Sequence, residues 1–306
     1  MRTVIIRSFG GPEVLEVTDV PVPEPGPGQI RIRVAAAAVN PVDLQTRSGA
    51  LTAAGLIPER EAIGIGWDVS GTVDTLGPDV VGFRPGDAVI GLSDRLSLPS
   101  KAQAEYVVLD TDAVTAVPTG IDLVAAATLP LGGLTAVQAL DIAGAKPGDT
   151  LLVTGAAGAV GGYTVQLAAR AGLRVVAVAS AGDEELLRDL GTEFFVPRTA
   201  DLPAAVRDLV PGGVHAAVDA ASVGTLALDA VRGGGSLVSV RGNAPTPLRG
   251  IRVGNVWIRA DGPRLAEVAA AGLRPRVADV LPLDEVAEAH RRLEAGGLRG
   301  RLVLVP

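Results

Sequence analysis

The chain has no cysteine, which removes disulfides, thiolate nucleophiles and cysteine metal ligands together. Histidine occurs twice, at His215 and His290, so neither a Cys-rich nor a three-His zinc site can be assembled. Lysine also occurs only twice, at Lys101 and Lys146; neither precedes Ser or Thr, so the phosphate loop ending in Gly-Lys-Ser/Thr is absent. Neither Tyr106 nor Tyr163 has a lysine four residues on, and no Gly-x-Ser-x-Gly occurs. Short-chain dehydrogenase and α/β-hydrolase signatures therefore both fail. Two Trp, two Tyr and four Phe make a poor base-stacking surface. With 27 basic against 34 acidic residues the net charge is −7, so nothing favours a polyanion and no nucleic-acid partner is expected.

What is present is apolar: the mean hydropathy is +0.37. The 306 residues allow one large or two ordinary domains. Two windows, 123–140 and 150–169, carry no charge. Pro130 and Gly132-Gly133 interrupt the first, and the second changes period around Gly155 and Gly158, so neither reads as a lipid-facing helix. The apolar stretch before Arg7 is too short for a signal peptide. A soluble, cytoplasmic protein with no membrane partner is expected.

Residues 1–122 are β-rich in pattern: short alternating runs, such as 30–39 and 104–109, lie between Pro and Gly clusters like 21–28. From 123 the texture changes to apolar strand runs near 151–154, 173–179, 193–196, 214–219, 236–240 and 251–258, with helix-length segments between them. Six such strands predict an α/β fold with a parallel, doubly wound sheet over 123–259. Asp183, Glu184 and Glu185 open one helix and Gly191 closes it, as the dipole and a left-handed cap require. Helices near 262–272 and 284–295 and a strand at 301–306 follow, so 260–306 is expected to complete the first domain.

The segment TLLVTGAAGAVGG (150–162) reads as a buried strand, a Gly-rich turn and a helix over 160–171. Such a junction accepts a dinucleotide pyrophosphate: Gly158 lets backbone approach the phosphates, Gly161 lets the helix pack close on the sheet, and the helix start offers free N–H groups. Ala157, Gly158, Ala159, Val160 and Gly161 are the expected phosphate-binding residues. Ala156 replaces the first glycine of the full fingerprint, and a tight turn without ligand is the plainer alternative. Where an NAD site places an acid, the next strand ends at Ser180. Ser180 can hydrogen-bond a 2′-phosphate, with Arg198 as cationic partner. Asp183, Glu184 and Glu185 would repel that phosphate if close, yet the balance favours NADPH over NADH.

The chain resembles zinc-independent medium-chain dehydrogenases/reductases of the quinone oxidoreductase, or zeta-crystallin-like, branch. The matches run in one order: FGGPEVLEV (9–17), VPVPEPGPGQI (20–30), AVNPVD (38–43), a G-x-D-x-x-G-x-V box over 66–73, FRPGDAV (83–89), AEYVV (104–108), TLPLGGLTAVQAL (128–140) and the Gly-rich turn. The resemblance implies a Rossmann doubly wound domain within a GroES-like β-rich catalytic domain, bound NADP(H), and a homodimer joined through residues 251–258. Where zinc-containing relatives carry a metal-binding Cys and His-Glu, this chain has alanines at 35–38 and Trp67-Asp68. No metal is expected. Two residues past Asp43 the branch often has Tyr, but this chain has Gln45, and the segment 92–103 looks private to it.

Without zinc or a Tyr-Lys pair, a plain ketone has little to polarise its oxygen. A quinone or an α,β-unsaturated carbonyl delocalises the arriving charge and needs less help, so these are the expected small-molecule substrates. Asn40 is the first candidate to donate to the acceptor oxygen, against simple capping of its own turn. Asp43 reads as a holder of backbone N–H groups more than as a general acid. Thr135 matches a position that in the superfamily lies near the nicotinamide, against a helix-interior threonine bonding its own backbone. Arg241, Gly242 and Asn243 follow the fifth strand at the edge where ligands collect, against a solvated turn. Both histidines read as packed. A cofactor-binding protein with little catalysis and an enoyl-thioester reductase are the alternatives.

Overall fold

The computed structural model describes residues 1–58 and 60–306, which form two compact units: Met1–Leu131 with Arg259–Pro306, and Gly132–Ile258. In the first unit β1 (Arg2–Ile6), β2 (Glu16–Asp19), β3 (Gln29–Ala38), α1 (Pro41–Arg47), α2 (Ala50–Ala53) and β4 (Ile63–Gly64) lead into β5 (Asp68–Leu76), β6 (Ala88–Leu92), β7 (Tyr106–Asp110), β8 (Val114–Ala116) and α3 (Leu123–Ala126). Helix α4 (Pro130–Ala143) begins at the unit boundary. The second unit continues with β9 (Thr150–Thr154), α5 (Ala159–Arg170), β10 (Arg174–Ala179), α6 (Glu184–Asp189), β11 (Phe194–Pro197) and α7 (Leu202–Leu209). It then adds β12 (Val214–Asp219), α8 (Thr225–Ala230), β13 (Val231–Ser239) and β14 (Arg252–Asn255). The chain returns to the first unit with α9 (Gly262–Ala270), β15 (Val277–Pro282), α10 (Val286–Ala295) and β16 (Arg301–Val305).

The six strands of the second unit lie in the order β11-β10-β9-β12-β13-β14, all parallel. This is the Rossmann order, with its switch point at β9 and β12. Burial on both faces explains why the strands are unbroken apolar runs. Successive residues face opposite ways: Leu151, Val153, Val175 and Ala177 pack under α4, α5 and α6, while Leu152, Val176 and Val178 pack under α7 and α8. Gly191, at φ +107°, ends α6 as the pattern predicts.

The first unit is β-rich. Its larger sheet runs β15-β16-β3-β5-β6-β8 with β7 also paired to β3, and its smaller one runs β2-β1-β4. The C-terminal strand enters this sheet directly: β16 pairs antiparallel with the end of β3, Val303 opposite Ala38 and Leu304 opposite Ala37.

Several sequence expectations need correction. No helix joins β13 to β14, because residues 240–250 carry two prolines and two glycine turns in place of a helical period: Pro245, Pro247, Gly242 and Gly250. The sixth strand is short, Arg252–Asn255, where 251–258 was the apolar run. The strand β15 has no sequence forecast, since its burial alternates weakly and it closes on Pro282. Residues 123–131, read with the second unit, belong to the first: Ser70 Oγ donates to Leu123 O, and Leu131 N donates to Asp68 Oδ1.

Candidate functional site

The Gly-rich turn sits at the carboxyl end of β9. Gly155 takes φ +58°, a left-handed value that a side chain would strain. Gly158 N donates to Gly155 O at 2.9 Å, and the first bond of α5 is Gly162 N to Gly158 O, also 2.9 Å. The amides of Ala159, Val160 and Gly161 precede that bond and so lie among the N-terminal donors that helices leave for ligands. Gly158 caps the helix with no side chain, and a Cβ there would stand 3.1 Å from Gly155 O. Gly161 is the opposite case, since its Cβ would stand 2.2 Å from Gly155 O. The two glycines therefore differ, since a side chain at Gly161 would overlap the turn's backbone and one at Gly158 would not. On the neighbouring strand, Asp219 ties the switch point together: its oxygens accept Thr154 Oγ1 at 2.6 Å and Gly224 N at 2.8 Å. These features fit a dinucleotide pyrophosphate, and no acidic side chain lies in the turn.

Ser180 and Arg198 follow adjacent strands, and Arg198 N donates to Ala179 O at 2.7 Å, which puts the two residues side by side. Arg198 is exposed, and its guanidinium has no partner among the described residues. Of the three acids that threaten a phosphate there, Glu184 is held by Arg188 through bonds of 2.6 and 3.0 Å, and Asp183 is buried. Thr135 is buried within α4 and its hydroxyl makes no bond back to the helix among the described residues. Arg241, Gly242 and Asn243 form an exposed turn after β13, with Gly242 at φ +76° and Asn243 Oδ1 accepting Ser239 Oγ at 2.8 Å.

The first unit holds a buried polar cluster around Asn40, Asp43, Asp68, Lys101 and Gln103. Asn40 precedes α1 and Asp43 sits in its first turn, where the carboxylate accepts Asn40 N at 2.8 Å and, across the unit, Gly66 N at 3.1 Å. Asn40 does not donate outward as the sequence suggests. Its Nδ2 is spent on Asp68 Oδ2 at 2.7 Å and Ala38 O at 3.3 Å, two acceptors that fix the amide's orientation and leave only Oδ1 unpaired. Burial pushes Asp43 up to about 7, with Lys101 and the amides pulling it back, and pushes Asp68 up to about 6. Burial lowers Lys101 to about 8, against the pull of Asp43 and Asp94.

Sequence patterns miss Lys101, Gln103 and Asp68 as a group. The available signals are modest: Asp68 is an acid inside the apolar run 63–69, and Lys101 is one of only two lysines, within the private segment 92–103.

Zinc does not fit the donor set. The chain has no cysteine, and His290 is buried against Arg47, which together with desolvation lowers it to about 3. His215 belongs to the other unit, where Nδ1 accepts Thr150 N at 3.1 Å. Among the described residues no group of three His, Cys, Asp or Glu side chains converges. Nor is any helix among them long and apolar enough to cross a membrane.

Residues 26–119 match the alcohol dehydrogenase GroES-like domain, and residues 159–260 match the family described as zinc-binding dehydrogenase. A 2-methylene-furan-3-one reductase of Solanum lycopersicum is 31% identical over 98% of this chain and 77% of its own length. A quinone oxidoreductase of Sus scrofa is 30% identical over 100% of this chain and 98% of its own. Among solved structures, an NAD-dependent alcohol dehydrogenase superposes with TM-score 0.88 at 34% identity, covering 100% of both chains. A mycobacterial protein complexed with NADPH superposes with TM-score 0.83 at 29% identity, again covering 100% of both.

Proposed function

Because the chain belongs to the medium-chain dehydrogenase/reductase family, in its quinone oxidoreductase branch, we propose that it is an NADPH-dependent reductase of quinones or α,β-unsaturated carbonyls that works without a metal ion. When bound, the dinucleotide supplies a hydride. The observation that carries the reading is the β9–α5 junction, whose glycine cap without a side chain and first-turn amides suit a pyrophosphate.

The chain's own residues divide the remaining work. Backbone from Ala157 to Gly161 binds the two phosphates. Ser180 and the unpartnered Arg198 hold the 2′-phosphate, which a nearby acid would reject. Thr135, Arg241, Gly242 and Asn243 supply further cofactor contacts. Asn40 and Asp43 act in the first unit by ordering the buried cluster. A metal-free reaction suits the donor set, and conjugated acceptors suit a metal-free reaction, because their charge spreads over the π system. Two chains pair through the edge strand β14, next to the exposed Trp257.

The test is NADPH oxidation with a panel of quinones, enones and saturated ketones. Turnover of some conjugated acceptors and of no saturated ketone is expected. Saturable NADPH binding without oxidation by any acceptor would remove the assignment in favour of a binding protein.

A further inference from the structure

Three non-glycine residues have left-handed backbone: Asp79, Arg249 and Ser222, at φ +64°, +53° and +59°. The first two lie on exposed turns, whereas Ser222 is half-buried in the loop that follows β12. A serine in that region is strained, and such strain persists only where the surroundings impose it. Here Asp219 imposes it. Its carboxylate is 1% exposed and accepts Ala221 N and Val223 N, each at 3.2 Å and one residue to either side of Ser222, and Gly224 N at 2.8 Å. Among the described residues no cation pairs with it, so these amides and Thr154 Oγ1, at 2.6 Å, are what stabilises a buried charge.

The loop so held braces the Gly-rich turn. A Cβ at Gly155 would stand 3.2 Å from Ala220 C and 3.3 Å from Ala221 Cβ, so the loop backs the first residue of the turn. Thr154 precedes Gly155, and its hydroxyl both donates to Asp219 and accepts Ala221 N at 3.1 Å. From the other side Ala156 N donates to Val178 O at 3.1 Å. The turn is thereby clamped between β10 and the loop after β12, within a single unit. Resting on the dinucleotide reading above, we infer that Asp219 is a positioning residue for the cofactor: it forces Ser222 into left-handed backbone and so keeps residues 220–224 against Gly155, which fixes the turn that receives the pyrophosphate. The enclosed carboxylate acts only through Thr154 and the loop. When its grip is weakened, Ser222 relaxes to its preferred backbone, the loop leaves Gly155, and the amides of the turn lose their common aim. A glycine at 222 needs no such force, since it takes the left-handed region freely.

The experiment compares wild type, Asp219→Asn, Ser222→Gly and the double variant. Asn offers one acceptor oxygen where the carboxylate uses two. In Asp219→Asn the Kd and KM for NADPH rise about 5- to 30-fold, the bias of a non-glycine residue against this backbone, while kcat at saturating NADPH stays within about twofold. Ser222→Gly alone raises Tm, because the strain is gone. The double variant regains NADPH affinity to within about threefold of wild type, a rescue that a general loss of stability would not permit. Hydrogen exchange of the amides in 155–161 gives a reading without ligand: faster in Asp219→Asn than in wild type, and slowed again in the double variant. If Asp219→Asn does not fold, Thr154→Val, which cuts the link from the carboxylate to the turn, raises the NADPH KM with kcat held and speeds the same exchange. Unchanged KM and exchange in the variant that folds, a Tm that falls in Ser222→Gly, or a double variant no better than Asp219→Asn overturns the role of Asp219. Failure of wild type to bind NADPH would instead overturn the dinucleotide reading, and the exchange rates would still judge Asp219.

Discussion

Replacing Gly158 and Gly161 by alanine, one at a time, separates phosphate approach from packing. At Gly161 the new Cβ would lie 2.2 Å from Gly155 O and 2.8 Å from Ala156 Cα, all backbone atoms of the turn it stands on. Ordinary contact begins roughly 1 Å farther out, so the helix start must move. Overpacking of this kind costs about 3 kcal/mol at its upper end, and alanine's better helix propensity returns about 1. A net loss of about 2 kcal/mol lowers Tm by roughly 4–8 °C for a unit of this size. At Gly158 the Cβ stands 3.1 Å from Gly155 O and the backbone is extended, so the fold suffers less than at Gly161; alanine is a poorer N-cap by less than about 1 kcal/mol. Its methyl group instead occupies the approach to the phosphates. Loss of one or two charge-assisted bonds at about 1.5–3 kcal/mol in all weakens NADPH by roughly 10- to 100-fold. Differential scanning calorimetry and NADPH fluorescence titration read the two effects. A Gly158→Ala protein that binds NADPH like wild type, or a Gly161→Ala protein with unchanged Tm, would refute the division of labour.

Removing the exposed guanidinium by Arg198→Gln should weaken NADPH by about tenfold or more and leave NADH unchanged, as competitive titration would show. Equal losses for both would place the 2′-phosphate elsewhere. The buried carboxyls give a pH signature with a definite sign. Asp68 binds its proton more tightly folded than unfolded, so its stabilising contribution is complete below about pH 4 and fades as pH rises through about 6, by on the order of 3 kcal/mol. Asp68→Asn should therefore flatten the urea midpoint between about pH 4 and pH 7. His290 works in the other direction: held neutral down to about 3, it contributes above the unfolded imidazole range and loses that contribution as pH falls from about 6.5 toward 3. His290→Gln should unfold less readily at about pH 4 relative to pH 7 than wild type does, and a parallel acid profile for the two proteins would count against it.

The Rossmann half of the molecule is written locally. Its strands are consecutive apolar runs, its caps are adjacent residues, and the β9–α5 turn is one contiguous peptide, so periodicity and glycine placement reveal it. The sixth strand is less legible, since an eight-residue apolar run yields only four paired residues, Arg252–Asn255, at an edge. The buried cluster of the first unit is of another kind. Asn40 meets Asp68 across 28 residues and Gln103 meets Asp43 across 60, through sheet pairing that no local pattern encodes. Lys101 sits in a polar stretch whose composition says loop, and only packing against Trp67 shows that it is enclosed. The same blindness explains Asn40: its amide suits a ligand oxygen on chemistry alone, until a buried carboxylate takes it.

The pairing of β16 with the end of β3 sets an order on synthesis. Val39 N donates to Leu302 O at 2.9 Å, so the backbone leading into Asn40 is finished by a strand made more than two hundred residues later. The Rossmann unit between them has its full set of strands well before then, and units of a chain tend to fold as they emerge. On the ribosome, the β9–α5 turn thus has its neighbouring strands while the region around Asn40 still waits for β16. Deleting residues 301–306 would leave that earlier-formed half intact and deprive the other of its closure.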